Sequence, residues 1–156
     1  GQWQEWREQH SLDWHLLEQP AHRALLDLNR DLNHLYRDNP VLHASDTDPA
    51  GFAWIDLHNG DQSVFAFLRR SPLHPERPPL LCVFNCTPVP REDYWLGVPA
   101  TGKYRKVLDT DAARYGGSGF NQQERVVTQL APCQGYPCHI RLDLPPLGAL
   151  FFELAD

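Results

Sequence analysis

The sequence predicts a mainly β fold, an antiparallel β-sandwich preceded by a loop and one α-helix. Residues 80–84 are apolar at every position, include β-branched and aromatic members, and form a run too short for an ordinary helix. Asn85, Pro88 and Pro90 end this run, because proline has no N–H for a β-ladder and asparagine favours turns. From residue 46 onward, short segments with turn signals between them alternate with period two, the pattern of a sandwich or barrel. We therefore expect residues 80–84 to form a strand in the middle of a sandwich, buried on both faces.

Length and charge narrow the class of protein. A chain of 156 residues suits one domain, or one domain with an appendage. Twenty acidic against fourteen basic residues give a net charge of −6, which repels phosphate backbones, so nucleic acid is not an expected partner. No apolar run approaches membrane-spanning length, so no membrane partner is expected either. The sequence contains no methionine and opens with no secretion signal, so we expect a piece of a longer, cytoplasmic protein.

The first forty residues predict a loop and then a helix. Residues 1–19 are polar and aromatic without a period, so an ordered loop is expected there. Pro20 suits the first turn of a helix, and Pro40 disfavours helical geometry in the residue before it. Between them an apolar stripe recurs at helical spacing, and we expect it to pack at least in part on the β-domain. The stripe consists of Leu25, Leu28, Leu32 and Leu35, with Leu26 and Tyr36 beside it.

The remaining chain predicts seven or eight antiparallel strands. Residues 52–57 and 63–69 alternate on either side of Asn59-Gly60, which predicts a β-hairpin. Residues 109–123 form a predicted loop whose glycines provide spacing, since no strand and helix flank them as a nucleotide loop requires. Further strands are predicted at residues 94–98, 104–108, 126–130, 138–144 and 148–154.

Four cysteines allow two disulfides or one zinc site. Their spacings are looser than the usual C-x2-C zinc motif, and Cys82 lies in the buried strand, where cysteine acts as a small hydrophobic residue. We favour reduced structural thiols. A local Cys133–Cys138 disulfide and a zinc site formed by the four cysteines are the alternatives. The histidines show no metal-ligand spacing, so no metal or other cofactor is expected.

Two kinds of side chain could form a site. Asp109, Asp111 and Asp13 could supply a carboxylate pair for acid–base chemistry, but we favour turn-forming aspartates in Leu108-Asp109-Thr110-Asp111 that bond nearby backbone. The other candidates are the aromatic residues Trp54, Tyr94 and Trp95. Because adjacent strand residues point to opposite faces, Tyr94 and Trp95 cannot both enter the core. An exposed ring beside polar groups can stack on a sugar, and it can equally be a former contact of a missing domain.

A series of short motifs follows one order along the chain. The motifs are Ser11-Leu12-Asp13-Trp14, Asp31-Leu32-Asn33, Leu35-Tyr36-Arg37, Gly51-Phe52, Trp54-Ile55, Ser63-Val64, Phe67-Leu68-Arg69-Arg70, Asn85, Thr87-Pro88-Val89-Pro90-Arg91, Leu108-Asp109-Thr110-Asp111, Tyr115, Gly117-Ser118 and Leu144-Pro145-Pro146-Leu147. In this order they resemble glycogen branching enzymes of the alpha-amylase superfamily (glycoside hydrolase family 13). The first three motifs resemble the end of the catalytic barrel of those enzymes, and the others resemble their C-terminal β-domain. The resemblance covers nearly the whole chain.

The resemblance implies an enzyme that cuts an α-1,4-glucan and rejoins the piece through an α-1,6 bond, using carboxylates of a (β/α)8 barrel. Residues 1–45 would be the last loop and helix of that barrel, and residues 46–156 the β-sandwich. The catalytic carboxylates would lie upstream of Gly1, so no catalytic residue is assigned here. The expected partners are the missing barrel within the same protein and, through the parent enzyme, α-glucan.

The resemblance also adds to the list of substrate-binding candidates. The strongest remain Trp95 and Tyr94, with Trp54 behind them. Trp3 and Trp6 compete, because they would follow the last barrel strand on the face where barrel active sites lie. Two functions stay open: a non-catalytic cover that stabilises the barrel, and an autonomous module that binds glucan weakly.

Overall fold

Eight antiparallel strands follow one long helix in the computed structural model, which describes residues 8–155. Helix α1 spans Pro20–Asp38, within one residue of the predicted end. The predicted loop before it is wrong for Trp14–Glu18, which form a short 3-10 helix. The strands are β1 (Phe52–Asp56), β2 (Val64–Arg69), β3 (Leu80–Asn85), β4 (Arg91–Val98), β5 (Lys103–Asp109), β6 (Arg125–Val127), β7 (Cys138–Leu144) and β8 (Gly148–Ala155).

The strands form two sheets. The larger has six strands in the order β1-β2-β3-β8-β5-β6, and the smaller pairs β4 with β7. The predicted central strand is confirmed: β3 lies between β2 and β8, with Leu81 paired to Leu68 on one side and to Phe152 on the other. Residues 80–83 are all buried, because one face of β3 enters the core between the sheets and the other is covered separately.

The main core lies between the two sheets. Alternate residues of each strand enter it, as period-two patterning requires. Full burial of each large aliphatic side chain contributes about 1.5–3 kcal/mol relative to exposure. The larger sheet supplies Ile55, Val64, Leu68, Leu81, Val83, Leu150 and Phe152, and the smaller sheet supplies Leu96, Val98, Ile140, Leu142 and Leu144.

A second, smaller core joins the end of the helix to the outer face of the six-stranded sheet. The chain leaves α1 through a 3-10 turn at Pro40–Leu42, where the Asn39 side chain accepts a hydrogen bond from the backbone N–H of Val41. Val41 is fully buried against Leu80 and Cys82. Half-buried side chains surround this contact, namely Leu42, Phe67, Phe84, Val107 and Phe151.

The apolar side of helix α1 is only partly covered by the rest of the protein. Leu28, Leu32 and Leu35 are half-buried, in agreement with the predicted stripe. Leu25 remains 58% exposed, so the expectation that it packs on the β-domain is wrong. The reason is geometric. Helix α1 contacts the β-domain around Asp31, beside a 3-10 turn at Ala113–Tyr115, and Leu25 lies nearly two turns before that point.

Three finer expectations need correction. The hairpin predicted for residues 52–57 and 63–69 is confirmed, but its connection has seven residues, 57–63, rather than five. Within this connection the Asn59 side chain donates to Gln62 and Tyr94. Strand β6 ends at Val127, and Leu130 beyond it is 84% exposed. All four cysteines are free thiols, so the Cys133–Cys138 disulfide alternative is wrong. Cys138 points into the core, whereas Cys133 lies in a turn outside it.

Within residues 8–155, no helix is long and apolar enough to cross a membrane. In the same part of the chain, no three His, Cys, Asp or Glu side chains come together as a metal ion would require.

Candidate functional site

A polar cleft lies where strand β4 meets the β1–β2 loop and the turn that leads into β7. Its volume is about 490 Å³. Strand β4 supplies Tyr94 and Trp95, two of the predicted site residues, from opposite faces: Tyr94 packs against the core and Trp95 is 46% exposed. The cleft is also lined by Asp56, Asn59, Gln62, Arg91 and Gln134.

A hydrogen-bond network forms the floor of this cleft. The Tyr94 hydroxyl donates to Asp56 Oδ2 at 2.5 Å, and Asn59 Nδ2 donates to the Tyr94 oxygen at 2.9 Å. Gln134 Nε2 donates to the same Asp56 oxygen at 2.9 Å. Burial, followed by the hydrogen bond to Asp56, raises the pKa of Tyr94 above its ordinary value. Tyr94 therefore stays protonated and holds Asp56 in one orientation.

The turn that carries Gln134 is locked against the edge of β4. Cys133 and Tyr136 exchange two backbone hydrogen bonds, and the residues between them, Gln134 and Gly135, both have positive φ, the conformation of a type I′ turn. The backbone N–H of Gly97 donates to Gln134 Oε1 at 2.8 Å. A Cβ atom at Gly97 would lie 2.3 Å from the Cys133 carbonyl oxygen, so glycine permits this approach.

Trp95 forms a flat wall at the other end of the cleft. Its indole stacks on the His139 imidazole, with ring centroids 4.4 Å apart and planes 9° from parallel. His139 is buried, and its Nδ1 lies 2.9 Å from the Ala131 carbonyl oxygen, which fixes the ring below the indole. The Arg141 guanidinium lies 5.5 Å from the indole centroid and pairs with Asp93. Trp95 is thus held from below and still offers nearly half of its surface.

The structure places Trp54 away from this cleft. Trp54 lies on the outer face of the six-stranded sheet, edge-on to Phe52 at 4.9 Å and to Phe67 at 5.9 Å. It belongs to an aromatic row that continues through Phe65 and Phe84. Trp3 and Trp6 lie outside the described residues.

Asp109 and Asp111 serve the backbone, as favoured from the sequence. Asp109 Oδ1 accepts a hydrogen bond from the backbone N–H of Asp111 at 2.8 Å, and Asp111 Oδ1 accepts one from the N–H of Ser118 at 2.9 Å. Burial raises the pKa of Asp109 above its usual range. The two carboxylates stabilise a loop and lie away from the cleft.

Sequence reasoning missed the polar residues of the cleft. Asp56 appeared as one position of an alternating strand, Asn59 as a turn residue, and Gln134 had no pattern at all. His139 alternates with the core residues Cys138 and Ile140 along β7 and is nevertheless buried. The stack of His139 on Trp95 joins residues 44 apart in the chain, so it leaves no local signal.

Comparisons with known proteins agree with this fold. The family described as "Alpha amylase, C-terminal all-beta domain" matches residues 54–155. The 1,4-alpha-glucan branching enzyme of Thiobacillus denitrificans is 46% identical over 98% of this chain and 20% of its own length. Those of Hydrogenovibrio crunogenus and Aquifex aeolicus are 47% and 42% identical, over 96% and 98% of this chain and 20% and 24% of their own lengths.

The chain therefore spans about a fifth of the length of the relatives it matches. A solved alpha-amylase from H. orenii aligns with 83% of this chain and 20% of its own length, at 15% identity and a TM-score of 0.48. The family match covers the hairpin β1–β2, the central strand and both sheets as described above. This chain belongs to the family of alpha-amylase C-terminal all-beta domains.

Proposed function

We propose that this chain is the non-catalytic C-terminal part of a 1,4-alpha-glucan branching enzyme, in which it covers and stabilises the catalytic barrel. The family match and the identity of 42–47% to relatives of that name support this. The parent would act in glycogen synthesis in the cytoplasm, moving α-1,4-glucan segments to α-1,6 branch points. It would meet glycogen and amylose through residues outside this chain.

The uncovered side of α1 carries this proposal. Along α1, which lies wholly within the described part of the chain, no residue is fully buried. Leu25, Leu26 and Tyr36 are exposed on it. Exposing a large apolar side chain costs about 1.5–3 kcal/mol relative to full burial, so such a surface indicates a missing contact. Helices of a (β/α)8 barrel pack around its strands, and the missing barrel would supply that contact.

The same helix is fastened to the β-domain, so it can link the two parts. The Tyr115 hydroxyl donates to Asp31 Oδ2 at 2.6 Å, and Arg114 lies 3.4 Å from the same carboxylate oxygen. Val41 then anchors the exit from α1 in the second core. We propose the division at residue 45, with residues 1–45 as the end of the barrel and residues 46–156 as the β-domain.

A test compares Leu25→Gln in the isolated chain and in the full-length enzyme. In the isolated chain the change is expected to alter the free energy of unfolding by less than about 0.5 kcal/mol, as at other surface sites. In the full-length enzyme it should cost about 1.5–3 kcal/mol, because the barrel would bury the leucine. Leu130→Gln, at a position 84% exposed, is the matched control and should be neutral in both. Equal, small effects of Leu25→Gln in both proteins would refute the proposed contact.

A further inference from the structure

We propose that the Trp95 cleft binds a neutral carbohydrate, an α-1,4-linked glucan, by stacking one sugar ring on the indole. The class of ligand follows from the side chains of the cleft. The α-1,4 linkage rests on the proposed function. The cleft lies on the small sheet, on strand β4, whereas α1 docks near the 3-10 turn at Ala113–Tyr115.

The Trp95 indole is already held in one orientation in the protein without ligand. His139 covers one part of it from below at 4.4 Å and is itself buried and bonded to a backbone carbonyl. A ring that is already held loses little conformational freedom on binding, which removes a main cost of association. The indole also combines a large apolar face with a polar N–H, which suits a ligand that is apolar on one face and hydroxylated at its rim.

Polar groups stand around the cleft at the reach of sugar hydroxyls. The network already uses the amide N–H groups of Asn59 and Gln134. The atoms outside it are Asp56 Oδ1 and Asn59 Oδ1, which are acceptors, and Gln62 Nε2, which is a donor. The network through Tyr94 fixes the Asp56 carboxylate and the two amides in place. Directional groups beside a single flat apolar wall are the usual composition of a small-molecule site.

The charge of the cleft selects against anionic ligands. Asp56, Glu92 and Asp93 line it against one lining cation, Arg91. Asp93 is paired with Arg141, which leaves the remaining acidic groups in excess. Phosphorylated ligands would be repelled, whereas a neutral sugar is indifferent to this field.

A protein contact is the competing explanation for an exposed tryptophan, and the composition of the surface argues against it here. The centre of a protein interface is apolar and depleted in charged residues. The Trp95 cleft has four charged lining residues around one accessible indole. The aromatic row of Phe52, Trp54, Phe65 and Phe67 on the other sheet has the composition of a protein contact instead.

Calorimetric titration of the chain with maltoheptaose tests the proposal. We expect saturable binding with a Kd on the order of 1 mM, the range of a site with one stacking ring. Trp95→Ala should weaken binding at least tenfold, and Trp95→Tyr, which keeps a stacking ring, should weaken it less. Trp14→Ala removes a tryptophan elsewhere that is more exposed than Trp95, at 62% against 46%, and should leave binding unchanged. Thermal unfolding of each variant shows whether it is folded during the titration.

Three results would overturn the proposal. They are no saturable binding at about tenfold above the expected Kd, loss of binding in Trp54→Ala with Trp95→Ala unchanged, and equal affinity for the β-1,4-linked cellohexaose. None of these results depends on the proposed contact between α1 and the barrel, which the Leu25→Gln comparison measures separately. Failure of the two proposals can therefore be distinguished.

Discussion

At the scale of single residues, the cleft depends on a close approach of two backbones. The turn at Cys133–Tyr136 can lie on the edge of β4 because Gly97 has no side chain between them. That approach lets the Gln134 side chain bond both the Gly97 N–H and the Asp56 carboxylate. One glycine thus decides whether the floor of the cleft can form.

Gly97→Ala is therefore expected to destabilise the chain by about 1–3 kcal/mol, because the new methyl group would meet a backbone oxygen at 2.3 Å. Gly60→Ala is the matched control, since a Cβ there meets nothing within 4 Å. It should be neutral or stabilising by up to about 1 kcal/mol, because alanine restricts the unfolded chain. Urea denaturation measures both. Equal effects of the two substitutions would show that the turn moves away at no cost.

The thiols give a second residue-level prediction. Burial raises the pKa of Cys82 to about 12, and burial also raises the pKa of Cys138 and of Cys133. Because the thiolate is the nucleophile, these three should react slowly with an alkylating reagent at pH 8. The exposed Cys86 should react first, and Cys86→Ser should remove the fast phase in a mass-spectrometric time course. A fast phase that survives Cys86→Ser would contradict the raised pKa of the other three thiols, of which Cys82 and Cys138 are buried and Cys133 is half-buried.

At the scale of elements, α1 joins the β-domain at two points. One is the apolar anchor of Val41, and the other is the polar contact of Asp31 with Tyr115 and Arg114. The hydrogen bond from Tyr115, more than the nearby Arg114 charge, lowers the pKa of Asp31. Burial raises the pKa of Tyr115 to about 12, so its hydroxyl remains a donor at neutral pH.

This contact should make the docking of α1 depend on pH. A carboxylate with a lowered pKa in the folded state stabilises that state above its ordinary pKa, about 3.9, and loses this contribution as the pH falls through the folded value. Amide hydrogen exchange of α1 should therefore accelerate below pH 4 relative to exchange of β3. In Asp31→Asn and Tyr115→Phe, α1 should exchange faster already at neutral pH and lose that acid dependence. Unchanged exchange in both variants would show that Val41 alone holds the helix.

At the scale of the whole molecule, a closed sandwich carries a half-covered helix and a row of aromatic side chains on its outer face. The β-domain is complete in its own core, since both sheets bury alternate residues against each other. The apolar stripe of α1, by contrast, is covered only in part. This asymmetry agrees with a domain that folds by itself and presents one element to a neighbour.

The chain by itself is expected to form no α-1,6 branches when incubated with amylose. The two aspartates of Leu108-Asp109-Thr110-Asp111 are engaged with the backbone, which leaves them unsuited to act as an acid and a nucleophile. Counting branch points after debranching measures this, with the full-length enzyme as the positive control. Branching by the isolated chain that a point mutation in it abolishes would refute the assignment.

The sequence by itself determined the elements and most of the core. The period of 3.6 between Pro20 and Pro40 specified α1, and the period of two specified the strands, because a half-buried element must place its apolar residues on one face. The apolar run at β3 identified the central strand for the same reason, since burial on both faces removes the alternation. These are local properties, and they need no knowledge of partners.

The sequence singled out Tyr94 and Trp95, but the tertiary structure alone decided which polar residues surround them. Trp95 meets His139, and Asp56 meets Tyr94 and Gln134, through pairs 38 to 78 residues apart in the chain. Strand pairing creates such contacts, and no local pattern records which polar residues will converge. It also decided that Leu25 stays exposed, because the point where a helix meets its domain depends on the loops that hold it. Periodicity marks a face for burial, and only the assembled chain shows which part of that face is covered.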